Sequence, residues 1–257
     1  MKFKITRFLA VCFILIMGAC AACSSAQLPA YHPAENYAID RAVRSTIVLN
    51  DLTGDWICGG TQISPKQIVT AYHCAVAAVL TEEEQIEATI EDGQIVVRDI
   101  DPAEVDPSRI VMKSVTYTTF AQNASKGTKK PHKGWFIAAD PKHDVALIET
   151  ETVEDTYTPL SSSDLRHGQK VFAIGHPIGL KYSYSAGVVA MPCRERYDVC
   201  WHQIDIHILP GSSGGGLFNE AGELVGAAAF GLSSSRGIIS GYSFFVYTDA
   251  IRKLTNF

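Results

Sequence analysis

The chain has 257 residues, 47% apolar and 19% charged, which is enough apolar material for a sizeable core. Its net charge of −5 excludes the basic footprint of a nucleic-acid-binding protein. A chain of this length suits one large β domain or two small ones.

The first segment, "MKFKITR", supplies Lys2, Lys4 and Arg7, and an apolar run of ten residues follows, Phe8 to Met17. This is a secretion signal, too short to span a bilayer as a stable helix. Small residues then lead into Cys20 and Cys23 in "MGACAACSS". The pattern resembles the lipobox of bacterial lipoproteins. It implies removal of residues 1–19, a lipid on Cys20 and a tether over 20–39. Ala21 stands where aspartate retains lipoproteins in the inner membrane of Gram-negative hosts, so the expected anchor is the outer membrane. Met17, where leucine is usual, leaves plain signal cleavage nearby as the alternative. Losing three cations takes the net charge from −5 to −8.

Beyond the tether, short runs rich in Val, Ile, Thr and aromatics alternate with Gly, Pro, Asn and Asp. Strands are expected at 45–50, 55–63, 66–71, 93–100, 109–117, 144–149, 170–175, 184–190, 202–209, 223–230 and 242–247. Their number and spacing indicate an all-β sandwich or barrels. One helix is expected, "TDAIRKLTNF", with Thr248 or Asp249 as its cap. The polar segment 158–168 divides the strands into lobes of 40–157 and 169–257. The lysine-rich stretch 120–135 has the composition of a solvated loop.

Seven cysteines fall into two groups. Cys12, Cys20 and Cys23 belong to the signal and its edge, leaving Cys58, Cys74, Cys193 and Cys200. An even number in an exported chain indicates disulfides. Adjacency favours Cys58–Cys74 and Cys193–Cys200, although four cysteines allow three pairings. The rival is a zinc site of Cys193, Cys200, His202 and His207, which lacks a close Cys-x-x-Cys pair. No metal or cofactor is otherwise called for.

"LPGSSGGGLFNEAGELVG" (209–226) places two serines among glycines between apolar runs. "GSSGG" fits the G-x-S-x-G elbow of α/β hydrolases, but that fold needs a histidine after its serine, and none follows Ser213. The base must lie upstream, and the β-rich pattern favours the order His-Asp-Ser over the Asp-His-Ser of an α/β fold. His73 follows a strand and adjoins Cys74, sixteen residues after Cys58, so a Cys58–Cys74 bridge would hold its turn. Asp144 heads an apolar strand between His73 and Ser213, where its carboxylate can accept the imidazole Nδ1–H.

These residues carry a resemblance. "TAYHC", "HDVALIE" and "GSSGGG" are similar to the histidine, aspartate and serine motifs of chymotrypsin-like serine peptidases. "AIGHPIGL", "SAGVVA" and "GYSFFVYTDAI" resemble still more the protease domain of bacterial HtrA-type enzymes. The resemblance covers 45–257 and leaves no room for the PDZ domain that follows in typical HtrA proteins, so oligomeric regulation of that type is not carried over. It implies two six-stranded antiparallel β-barrels packed face to face with a short C-terminal helix. It also implies Ser213 as nucleophile, His73 as base, Asp144 as its orienting acid, and the N–H groups of Gly211 and Ser213 as an oxyanion hole.

Three positions depart from the family pattern. Tyr72 replaces an alanine; Ser212 replaces the aspartate that pairs with a freshly cut N-terminus in zymogens; Gly216 replaces a proline. His207 occupies the place of the aspartate in Arg- and Lys-cleaving members. With Ala228, Ala229 and Phe230 it is expected to wall the primary substrate pocket. Apolar residues are the expected occupants, with acidic ones as the alternative through His207. The function implied is an exported serine endopeptidase acting on polypeptides. A protease-fold protein that captures peptides without cutting them is the alternative.

Overall fold

The computed structural model describes residues 33–80, 86–91, 94–99, 101–125, 130–153, 155–234 and 237–255. The signal, Cys20, Cys23, Lys126 and Lys129 lie outside them.

Twelve strands close into two barrels of six. The first contains β1 (Thr46–Asn50), β2 (Trp56–Ser64), β3 (Gln67–Thr70), β6 (Ser114–Thr119), β7 (His132–Asp140) and β8 (Val145–Thr150). The second contains β9 (Lys170–Gly175), β10 (Ser183–Arg196), β11 (Val199–Ile204), β12 (Gly216–Asn219), β13 (Leu224–Ser234) and β14 (Gly237–Val246). All pairings within them are antiparallel. A separate hairpin joins β4 (Ile86–Glu91) to β5 (Gln94–Asp99).

Strand alternation explains the core. In β8, Ala146 and Ile148 pack with Ile47, Leu49, Ile68 and Phe136 in the first barrel. Their neighbours Val145 and Leu147 pack with Val69 and with Phe172, Ile174 and Phe218 of the second barrel. Successive side chains point to opposite faces. A strand buried on both faces therefore loses its polar alternation, which is why "VALI" is uninterrupted.

Several expectations need correction. Residues 109–117 do not form one strand: a 3₁₀ turn covers Pro107–Arg109, Met112 has φ +68°, and β6 begins only at Ser114. The expected strand 202–209 ends at Ile204, where the Asp205 carboxylate accepts the Val188 N–H and the chain leaves the sheet. β7 and β12 were not expected, being masked by the lysine-rich loop and the glycine cluster beside them.

Among the described residues three further helices form; the shortest, Phe120–Ala124, occupies the start of the stretch 120–135 that was expected to be a loop, and β7 occupies its end. Pro33–Ser45 begins inside the expected tether and crosses the expected start of the first lobe. Its Arg41 donates to the carbonyls of Ala221 and Gly222 at 2.7 and 3.1 Å, and Ala42 is fully buried, so this helix packs on the β12–β13 turn of the second barrel. The third, Tyr72–Val79, replaces the expected turn at His73. The C-terminal helix is present as Thr248–Thr255.

Candidate active site

His73 lies in the first turn of the Tyr72–Val79 helix, directly after β3. The helix is anchored by the Cys58–Cys74 disulfide, whose cysteines are buried, and by Tyr72, whose hydroxyl donates to the Val105 carbonyl at 2.6 Å. Burial pushes the Tyr72 phenol up to about 12. This bond gives Tyr72 a structural role at the position where the resembling motif has alanine.

Asp144 ends the tight turn between β7 and β8 with φ +51°, a left-handed conformation that aspartate tolerates better than most residues. The turn is braced by Asp140, which accepts the His143 N–H at 3.2 Å and meets His143 Nδ1 at 2.6 Å. The Asp144 carboxylate grips His73 twice. Oδ1 accepts the backbone N–H at 2.9 Å, and Oδ2 lies 2.9 Å from Nδ1. The Nδ1–H tautomer satisfies this arrangement and leaves Nε2 with a free lone pair. Burial draws the imidazole pKa down, but the hydrogen bond and charge of Asp144 outweigh it and leave it above the ordinary value.

Ser213 sits half-buried on the loop before β12. Its carbonyl accepts the Gly59 N–H at 2.8 Å, and the next residue, Gly214, donates to Ala228 O at 2.8 Å. Gly214 has φ +75°, and a Cβ there would lie 2.3 Å from Gly59 O and 2.4 Å from Thr70 Oγ1. At Gly215 a Cβ would come within 2.5 Å of Ile174 O. Backbone from the second barrel thus rests directly on the residues that flank Cys58 and His73. The glycines are required for this close approach. Gly211 has φ +92°, and among the described residues neither its N–H nor that of Ser213 donates a hydrogen bond. Ser213 Oγ likewise has no hydrogen bond to His73 among the described residues.

A cavity of about 300 Å³ holds Ser213 and is lined by 208–210 and 229–232, all of them apolar. Ala229 and Phe230 are walls of it. His207 and Ala228 are not. They face a neighbouring cavity of about 20 Å³, with Ser183 and Ser185. Ala228 packs in a different buried cluster from Ala229 and Phe230, across the β13 irregularity between Ala228 and Phe230, and His207 itself is exposed.

The zinc alternative fails as well. Cys193 and Cys200 form a disulfide across the β10–β11 hairpin. Both nitrogens of His202 are engaged, Nδ1 with Pro192 O at 2.5 Å and Nε2 with the Thr248 N–H at 3.1 Å.

Sequence reasoning missed His176, which is fully buried at the end of β9. Its Nε2–H donates to Ile47 O in the first barrel at 3.0 Å, while Nδ1 accepts the Tyr182 N–H at 3.0 Å. Burial draws its pKa down to about 4, so it is a neutral strut between the barrels, behind Gly59. Its signal was the His-Pro pair after an apolar strand.

Known proteins resemble this chain in sequence and in fold. A family profile described as "Trypsin-like peptidase domain" matches residues 58–226. The chain is 38% identical over 129 residues to a "Probable periplasmic serine endoprotease DegP-like" of Pseudomonas fluorescens, covering 48% of this chain and 27% of that protein. It is 33% identical over 138 residues to "Protease Do-like 5, chloroplastic" of Arabidopsis thaliana, covering 49% and 42%. The match thus spans about a quarter of the bacterial relative's length. Among solved structures, the HtrA-type protease AlgW with a tripeptide superposes with a TM-score of 0.63 at 18% identity, covering 87% of this chain and 63% of that one. The serine endoprotease from Yersinia pestis gives 0.60 at 19%, covering 88% and 67%.

Proposed function

The chain belongs to the trypsin-like peptidase family, and on that premise we propose that it is an exported serine endopeptidase acting through Ser213, His73 and Asp144. Ser213 Oγ attacks the scissile carbonyl while His73 Nε2 takes its proton, then returns it to the leaving amine. Water hydrolyses the acyl-enzyme by the same proton transfers in reverse order. Asp144 stabilises the imidazolium that forms. The N–H groups of Gly211 and Ser213 receive the developing oxyanion, each worth about 2.7–4 kcal/mol in such sites.

The observation that carries this reading is the double grip of Asp144 on His73, through the ring and the backbone at 2.9 Å each. That arrangement presents Nε2 as a base, a role with no structural purpose in a merely folded turn.

The substrate is a polypeptide, and the apolar walls of the Ser213 cavity favour an uncharged, apolar side chain at the residue whose carbonyl is attacked. A buried cation there would lack a counter-charge. Export is supported by the signal pattern and by relatives named as periplasmic. Attachment through Cys20 to the outer membrane follows from the lipobox resemblance.

A fluorophosphonate probe tests the function. Labelling of the folded protein that disappears in Ser213→Ala is expected. Folded protein that takes no label would leave the binding-protein alternative standing.

A further inference from the structure

The Ser213 cavity has a neighbour. Across Ala229 and Phe230 lies a cavity of about 380 Å³ that reaches from these residues to His73, Asp144 and the Asp101–Ala103 segment of the first barrel. Two carboxylates face it. That of Asp144 is occupied by His73. Among the described residues, that of Asp101 accepts the Ala103 N–H alone, at 2.9 Å, and no lysine or arginine pairs with it.

Asp101 is held in place. It caps the 3₁₀ turn Pro102–Glu104, with proline at the first position. The turn's far end, Val105, accepts the Tyr72 hydroxyl from the helix that carries His73. The carboxylate and the imidazole therefore belong to one rigid wall. Arg196, whose guanidinium lies 5.8 Å from the Phe230 ring centroid, comes from the β10–β11 hairpin and does not line this cavity.

A peptide cut at Ser213 runs extended, and its successive side chains point to opposite sides. The side chain of the residue supplying the scissile carbonyl enters the Ser213 cavity. That of the residue before it turns to the other side of Ala229 and Phe230, into the cavity that Asp101 faces. A lysine or arginine there lays its apolar stem along Pro102 and Phe230 and carries its charge toward the open carboxylate.

We propose that Asp101 is a specificity-determining residue that favours lysine or arginine immediately before the residue whose carbonyl Ser213 attacks. The proposal rests on the peptidase reading of this cleft. Because Asp101 is exposed, the preference is modest, about two- to fivefold over an uncharged residue, and it shrinks with added salt.

The test uses peptides with a fixed apolar residue at the cleaved position and Lys, Arg, Gln or Glu before it. Values of kcat/KM should rank Lys and Arg above Gln and Gln above Glu. Asp101→Asn keeps a capping side chain and should make Lys and Gln equal. Asp101→Lys should reverse the order of Lys and Glu. A wild-type enzyme indifferent to these residues, or an Asp101→Asn variant that keeps the preference, would overturn the assignment while leaving the peptidase reading intact. Absence of Ser213-dependent hydrolysis of every peptide would overturn the peptidase reading and this proposal with it.

Discussion

The Gly59 N–H donates to the carbonyl of Ser213 at 2.8 Å, so one hydrogen bond ties β2 of the first barrel to the nucleophile loop of the second. Gly59 follows Cys58, whose disulfide partner Cys74 follows His73. Serine and imidazole are thereby tied to the same few residues of backbone.

This contact makes Gly214 the sensitive position. In Gly214→Ala the new Cβ would meet Gly59 O and Thr70 Oγ1 at 2.3 and 2.4 Å, in a left-handed conformation. The loop must move, and a displacement of about 1 Å at a nucleophile costs roughly a hundredfold in rate. The control is Gly54→Ala, at φ +90° with nothing within 4 Å of the new methyl. It should lower the melting temperature slightly and leave fluorophosphonate labelling unchanged. Equal labelling rates in the two variants would contradict the inter-barrel account.

The pH profile follows from His73. Asp144 raises its pKa above the ordinary 6.5, and the base is active only when neutral. The acid limb of kcat/KM should therefore have its midpoint above 6.5. In Asp144→Asn the midpoint should fall and the rate should drop by roughly 10⁴, because the tautomer is no longer enforced. An unchanged midpoint would separate Asp144 from the titrating base.

Stability should fall on the acid side. His176 and His202 are buried and neutral, with pKa values drawn down to about 4 by burial. The unfolded chain binds protons near 6.5, so each contributes stability that is complete above that pH and is lost as pH falls toward 4. Each contribution is on the order of 3 kcal/mol. His73 works in the opposite sense, its contribution being present below 6.5 and lost as pH rises through its elevated pKa. Urea denaturation between pH 7 and pH 4 should show a falling midpoint, reduced in His176→Gln. A midpoint flat over that range would argue against neutral burial.

The two disulfides should differ in effect. Cys58–Cys74 braces the helix of His73, whereas Cys193–Cys200 closes a hairpin of the second barrel. Each loop contributes about 3 kcal/mol or less in the chain-entropy account. Cys58→Ala should lower kcat/KM much more than Cys193→Ala at matched temperature. Equal losses would show that the bridge near His73 has no special bearing on catalysis.

The N-terminal assignment is checked by mass. Protein from its native membrane should begin at Cys20 and carry a diacylglyceryl group. A different first residue without lipid mass would favour ordinary signal cleavage.

Local patterns were enough for much of this protein. The β-rich runs between turn residues pointed to an all-β fold, and the order of His73, Asp144 and Ser213 to a His-Asp-Ser arrangement; the paired barrels came from the resemblance of those motifs to a known family. These are legible because hydrophobic periodicity and turn chemistry act over a few residues. Other features depend on which surfaces meet. The helix at Tyr72–Val79 was read as a turn, because its burial against the first barrel, rather than any cap, sustains it. His207 was assigned to the pocket by counting back from Ser213; its surroundings depend on where the chain leaves the sheet after Ile204, which places it beside Ala228 and Ser212. His176 and Asp101 gain their significance from partners more than fifty residues away or across a cleft. Spacing along the chain carries no information on such encounters; the closure of two barrels against each other decides them.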